Sequence, residues 1–197
     1  MMIRKTLLPC LIAMAILATG NAQNGAATDG PQFTASGELT APKDYREWMF
    51  LSSGLGMTYG PLSGAGATAE NPRFENVFVN PTAYRSFLKT GTWPEQTIFV
   101  LEIRSSASKL SINNNGRVQT DIAGVEAEVK DSKRFPGKWG FFDLGAANAG
   151  PAKQIPTTAT CYACHGQNGA VDNTFVQFYP TLIPVAKEKG TFHEKAE

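Results

Sequence analysis

Residues 97–130 read TIFVLEIRSSASKLSINNNGRVQTDIAGVEAEVK. Thr97 to Arg104 is rich in β-branched and aromatic residues and alternates, which predicts a strand. Asn113-Asn114-Asn115-Gly116 follows, a run that tolerates the left-handed backbone a tight reversal needs. After it, Val118 to Lys130 alternates polar and apolar residues through Ile122, Val125, Ala127 and Val129, with Gly124 placed for a bulge. Two strands joined by a tight turn favour an antiparallel arrangement.

The flanks extend that pattern. Upstream, Phe74 to Val79 alternates and predicts another strand, closed by Asn80-Pro81. Pro81 suits the first turn of a helix, and Thr82 to Lys89 carries Tyr84, Phe87 and Leu88 at helical spacing. Gly91 ends that helix. Further back, a Gly/Ser/Ala-rich loop is expected over Ser52 to Asn71, preceded by the apolar segment Trp48-Met49-Phe50-Leu51. Downstream, Phe135-Pro136-Gly137 makes a turn before a short aromatic strand over Lys138 to Leu144. Cys161 to His165 and Asn173 to Lys189 read as helical, the second interrupted by Pro180 and Pro184, and are expected against one face or end of the sheet. The predicted class is α+β: mainly antiparallel β-sheet with a few helices, the C-terminal helical segment carrying the cysteines.

Arg4 and Lys5, the apolar run Thr6 to Ala18 and the small residues Gly20-Asn21-Ala22 predict a signal peptide over residues 1–22. The run is too short for a membrane anchor, which needs roughly 20 apolar residues. Cys10 lies inside it and is expected to leave with it; the preceding Leu-Leu-Pro is a poor lipidation signal. Residues 23–40, rich in Gly, Ala, Thr and Ser, are expected to form a flexible lead-in, and residues 41–197 a single domain. Without Arg4 and Lys5 the chain holds 16 basic against 17 acidic residues. That balance points to neither nucleic acid nor a membrane surface.

Cys161-Tyr162-Ala163-Cys164-His165 carries the chemistry. A disulfide between these cysteines would close a very small loop and stabilise little. A thioredoxin-like pair belongs beside a βαβ unit, which this pattern lacks, and a structural zinc needs four good ligands. On one helical turn, however, thiols three residues apart face the same side. They can form thioethers with the two vinyl groups of a porphyrin, while His165 places its imidazole under the iron. This C-x-x-C-H spacing predicts one covalently attached haem c with His165 as the iron ligand. Of the remaining candidates for the sixth position, Met49 and Met57 can ligate iron or fill the core, and His193 reads as a tail residue. The expected iron is five-coordinate, with an open distal side.

C-Y-A-C-H with V-D-N-T-F-V-Q-F-Y-P-T-L, Y-R-E-W, V-F-V-N-P and V-K-D-S-K-R-F together resemble the cytochrome P-460 family, over about Gly37 to Lys189. The resemblance implies a mainly antiparallel β fold, a homodimer, a periplasmic location and a mono-haem c site. Hydroxylamine-oxidising members carry a strand lysine cross-linked to the haem; in T-I-F-V-L-E-I, Leu101 takes its place. That departure is similar to the cytochrome c-prime-beta branch, whose members hold phenylalanines over the distal face and bind nitric oxide and carbon monoxide. Phe50, Phe78 and Leu101 are accordingly expected to line the haem pocket, with Phe74, Phe99 and Phe142 as further candidates.

Three functions follow as expectations: a gas-binding cytochrome for nitric oxide and carbon monoxide, an oxidoreductase acting on hydroxylamine or nitric oxide, and an electron carrier with a methionine sixth ligand and a periplasmic redox partner. The second needs an acid–base residue in the pocket. Glu102 adjoins Leu101 but belongs to the opposite strand face.

Overall fold

A computed structural model describes residues 29–59, 62–63, 68 and 70–194. The expected signal peptide and residues 23–28 of the expected lead-in lie outside the described residues. Five strands form one antiparallel sheet in the order β1-β4-β5-β6-β7. They are β1 (Met49–Leu55), β4 (Phe74–Val79), β5 (Ile98–Ala107), β6 (Val118–Lys130) and β7 (Trp139–Asp143). A two-stranded hairpin, β2 (Thr58–Tyr59) with β3 (Leu62–Ser63), stands apart from it. The helices are α1 (Pro81–Thr90), α2 (Thr160–Asn168) and α3 (Ile183–Glu188). The α+β class predicted from the sequence is the class observed.

The β5–β6 ladder runs from Ile98↔Val129 to Ala107↔Val118. Ile103 pairs with Gly124 and Arg104 with Ile122, so the register slips by a residue beside Gly124, as anticipated. In the connecting turn Gly116 adopts φ 85°, a left-handed backbone that glycine accepts without strain. Helix α1 begins on Pro81 and ends at Gly91, whose N–H reaches the Phe87 carbonyl.

The sheet has two unlike faces. On one, Ile98, Val100, Val125, Ala127 and Val129 pack against Leu39, Tyr45 and Trp48. On the other, Val79 and Phe99 meet Phe87 of α1, Trp93 of the connection after it, and Val176 and Leu182 of the C-terminal segment. Trp93 is 4.2 Å from Phe87, ring to ring, and its Nε1 donates to Thr174 Oγ1 at 2.8 Å. Burying each such side chain contributes about 1.5–3 kcal/mol, which ties the cysteine-bearing segment to the sheet.

Three expectations are corrected. The lead-in is ordered from Asp29 on: Leu39 is fully buried and bridges both Phe33 and Ala152. The loop expected over residues 52–71 instead continues β1 to Leu55 and then forms the β2–β3 hairpin, because Gly and Ser can serve an edge strand when a partner strand satisfies the backbone. The helical tail is broken into a 3-10 turn, Val176–Phe178, and α3, which Pro184 opens rather than interrupts.

Candidate functional site

Helix α2 holds Cys161, Cys164 and His165 within nine residues. The extended residue Ala159 precedes it, and the Gly169 N–H closes it on the His165 carbonyl. The Asn168 side chain donates to the Cys164 carbonyl at 2.9 Å, satisfying one of the carbonyls a helix end leaves open. Tyr162 fastens the helix to β7: its hydroxyl donates to the Ile155 carbonyl at 3.1 Å, and its ring meets Phe141 edge-on at 4.7 Å.

The far side of α2 faces the sheet across a cleft of about 360 Å³, within the range of roughly 300–1,000 Å³ typical of cofactor pockets. Strand alternation sends Phe99, Leu101 and Ile103 of β5, and Glu75 and Val77 of β4, to this face. Cys161, Cys164 and His165 form the opposite wall, with Phe175 and Phe178 beside them. Met57 and Tyr59, from the hairpin region, complete the lining.

Both thiols are free. Burial pushes the Cys161 thiol above its ordinary pKa, which keeps it protonated at neutral pH. The His165 ring lies between Phe141, at 4.6 Å, and Phe175, at 4.4 Å. Its Nδ1 is 3.0 Å from the Asn173 carbonyl and 3.3 Å from Glu128 Oε1. Burial opposes protonation of His165, but the charge and contact of Glu128 and the Asn173 carbonyl outweigh it, and its pKa is raised. The turn that supplies the Asn173 carbonyl depends on Gly169. A Cβ there would stand 2.5 Å from the Asn173 carbonyl carbon, and Asp172 and Asn173 adopt left-handed φ of 48° and 64°.

The chemistry of this donor set fits a haem. An imidazole whose Nδ1 already has acceptors presents Nε2 as the free donor, the tautomer an iron ligand needs. The thiols line the same cleft, and the sheet wall between them and the hairpin is largely apolar. Among the described residues no group of three or more His, Cys, Asp or Glu side chains is arranged to hold a bare metal ion. Among them, too, no helix is long and apolar enough to cross a membrane.

Of the residues expected to line the pocket, Leu101 does so, as do Phe99 and Phe142. Phe50 and Phe78 do not, and the expected phenylalanine cap is corrected. They stack edge-on at 5.6 Å, with Phe78 also against Tyr45, on the opposite sheet face. The reason is register. Val77, not Phe78, pairs with Leu101, so Phe78 has the opposite parity. Glu102 also lies on that far face, 1% exposed. It accepts from Tyr45 at 2.6 Å and Arg104 Nε at 2.6 Å, and also from Arg46 and Asn76.

Sequence reasoning missed the polar groups of the cleft. Glu75 is 7% exposed and accepts from the Tyr59 hydroxyl at 2.6 Å. Burial raises the Glu75 pKa against the opposing pull of that hydrogen bond. Burial, with Glu75 beside it, raises the Tyr59 pKa. Glu126 lines the cleft but stays open to solvent. In V-E-A-E-V the glutamates hold the positions of a solvent face, and a cleft face has the same period. In F-E-N-V-F-V the shared parity of Glu75 and Val77 was the available signal.

A sheet facing a helix that offers two thiols and an anchored imidazole across an apolar cleft is the architecture of a small cytochrome. Comparison with known families agrees: the family model described as Cytochrome P460 matches residues 42–176. The chain belongs to the cytochrome P460 family, and that membership implies a haem cofactor with its iron. No curated protein matches the chain.

Proposed function

We propose that the protein is a mono-haem c cytochrome of the cytochrome c-prime-beta type, which binds nitric oxide and carbon monoxide. Cys161 and Cys164 would hold the haem as two thioethers, each the product of adding S–H across a vinyl double bond. His165 ligates the iron through Nε2, with Nδ1 kept protonated by its acceptors. When bound, the haem supplies an iron with one position open to a diatomic gas.

The observation that carries this reading is Leu101 in the cleft wall, the position at which the family resemblance would put the cross-linking lysine. A leucine side chain has no nucleophile with which to join the haem edge. Val77, Phe99, Leu101 and Ile103 line that side with side chains that offer no hydrogen bond. Such a wall suits nitric oxide and carbon monoxide, which need less help from donors than oxygen does. The reading includes export to the periplasm, from the residue 1–22 pattern, and a homodimer, from the family resemblance.

A second reading, oxidation of hydroxylamine or nitric oxide, gains support from Glu75 and Tyr59. A raised carboxyl and its hydroxyl partner in the cleft are groups that can accept and pass protons. The experiment is turnover of hydroxylamine by haem-loaded protein with an artificial one-electron acceptor. The gas-binding reading predicts no sustained acceptor reduction above the protein-free rate; multiple turnovers per haem would replace it with the second.

A further inference from the structure

We propose that Glu128 is a positioning residue for the axial histidine: its carboxylate shares the Nδ1 proton of His165 with the Asn173 carbonyl and makes His165 a stronger donor to iron. The inference rests on the reading that His165 ligates the iron.

Glu128 sits on β6, flanked across the sheet by Phe99 and Phe141. Its side chain is 11% exposed, and Oε1 lies 3.3 Å from Nδ1. That oxygen is buried and has no hydrogen-bond partner among the described residues, the Nδ1 approach being its nearest polar contact of opposite charge. An unpaired carboxylate oxygen in such a place costs free energy unless a proton donor reaches it. The nearby cation does not serve, because Lys130 is held by Asp172 and the Trp93 carbonyl. The imidazole is therefore the donor at hand. With Nε2 on the iron, the ring's one proton must stay on Nδ1, which then faces two acceptors at 3.0 and 3.3 Å. Phe141 and Phe175 on either side fix the ring's rotation, so the proton stays directed between them.

A carbonyl acceptor alone orients an axial imidazole. A carboxylate also draws the proton away and leaves more electron density on the ring, which favours ferric over ferrous iron and tightens the iron–nitrogen bond. Glu128 would thus set both the reduction potential and the resistance of that bond to a strong ligand on the other side.

The test uses haem-loaded full-length protein and Glu128→Gln, which keeps the shape and removes the charge. Resonance Raman of the ferrous form reads the iron–histidine stretch, and potentiometry reads the midpoint. The variant is expected to shift the stretch to lower wavenumber and the midpoint to a higher potential. Should that variant fail to load haem, Glu128→Asp draws the charge back by one methylene and is expected to shift both readouts in the same directions by less. Wild-type values in the variant that loads would overturn the proposal. Absence of an iron–histidine band in the unsubstituted protein would instead overturn the ligand assignment beneath it.

Discussion

Leu101 pairs across the ladder with Val77, and both side chains face the cleft. An apolar pair therefore occupies this stretch of the wall, and neither side chain carries a nitrogen that could join a haem edge. Trypsin, cutting after Lys153 and Lys187, releases residues 154–187 with both cysteines and His165. The expected mass of the haem peptide is that segment plus one haem. A heavier species containing a lysine from elsewhere, such as Lys89 or Lys109, would contradict the assignment.

Met57 lines the same cleft, but the Tyr59 hydroxyl approaches its sulfur at 3.7 Å and the side chain lies over Gly54. It reads as wall rather than ligand. Met57→Ala is expected to leave the ferrous optical spectrum unchanged. Conversion from a six-coordinate to a five-coordinate spectrum would make Met57 the sixth ligand and the protein an electron carrier.

The pKa of Glu75 lies above the ordinary 4.5 because of burial, with the Tyr59 hydrogen bond acting against it. Folded protein then keeps a proton that unfolded chain has released, so stability falls as pH rises from about 4.5 through the folded-state value. Glu75→Gln never ionises and removes that fall. Glu75→Gln also removes a charge that helps raise the Glu126 pKa, an effect of the same sign, so the difference reports the Glu75 carboxyl together with its influence on Glu126. Urea unfolding of the haem-loaded proteins from about pH 4 to about pH 8 should show the wild type losing stability relative to the variant; parallel curves would refute this.

On the far face, Glu102 is 1% exposed, and Arg104 Nε donates to it at 2.6 Å. Burial acts to raise the Glu102 pKa, but Arg104, Tyr45 and Asn76 outweigh it, and the net shift is downward. Arg104→Ala removes a charged hydrogen bond worth about 1.5–3 kcal/mol. That loss is expected in chemical denaturation at neutral pH, where wild-type Glu102 is ionised in folded and unfolded chain alike. A change below about 0.5 kcal/mol, ordinary for a surface site, would show the network to be energetically idle.

The sheet was legible because β-branched alternation and Asn/Gly turns are local signals. Residues 74–79 and 118–130 became strands as read, and Pro81 and Gly91 bound a helix as read. The cysteine–histidine helix was legible for the same reason. The pocket lining was not, since it depends on cross-strand register. One residue of parity separates Val77 in the cleft from Phe78 outside it, and that parity is set by pairing with β5. Glu128 and the Asn173 carbonyl were hidden too. They reach His165 only after β6 and the turn beyond Gly169 converge, a contact between segments far apart in the chain.

The most direct measurement is the optical spectrum of the reduced, haem-loaded protein before and after nitric oxide. A five-coordinate high-spin ferrous spectrum that converts fully on adding the gas is the predicted result. A six-coordinate low-spin spectrum in the absence of added ligand, unmoved by nitric oxide, would contradict the open site.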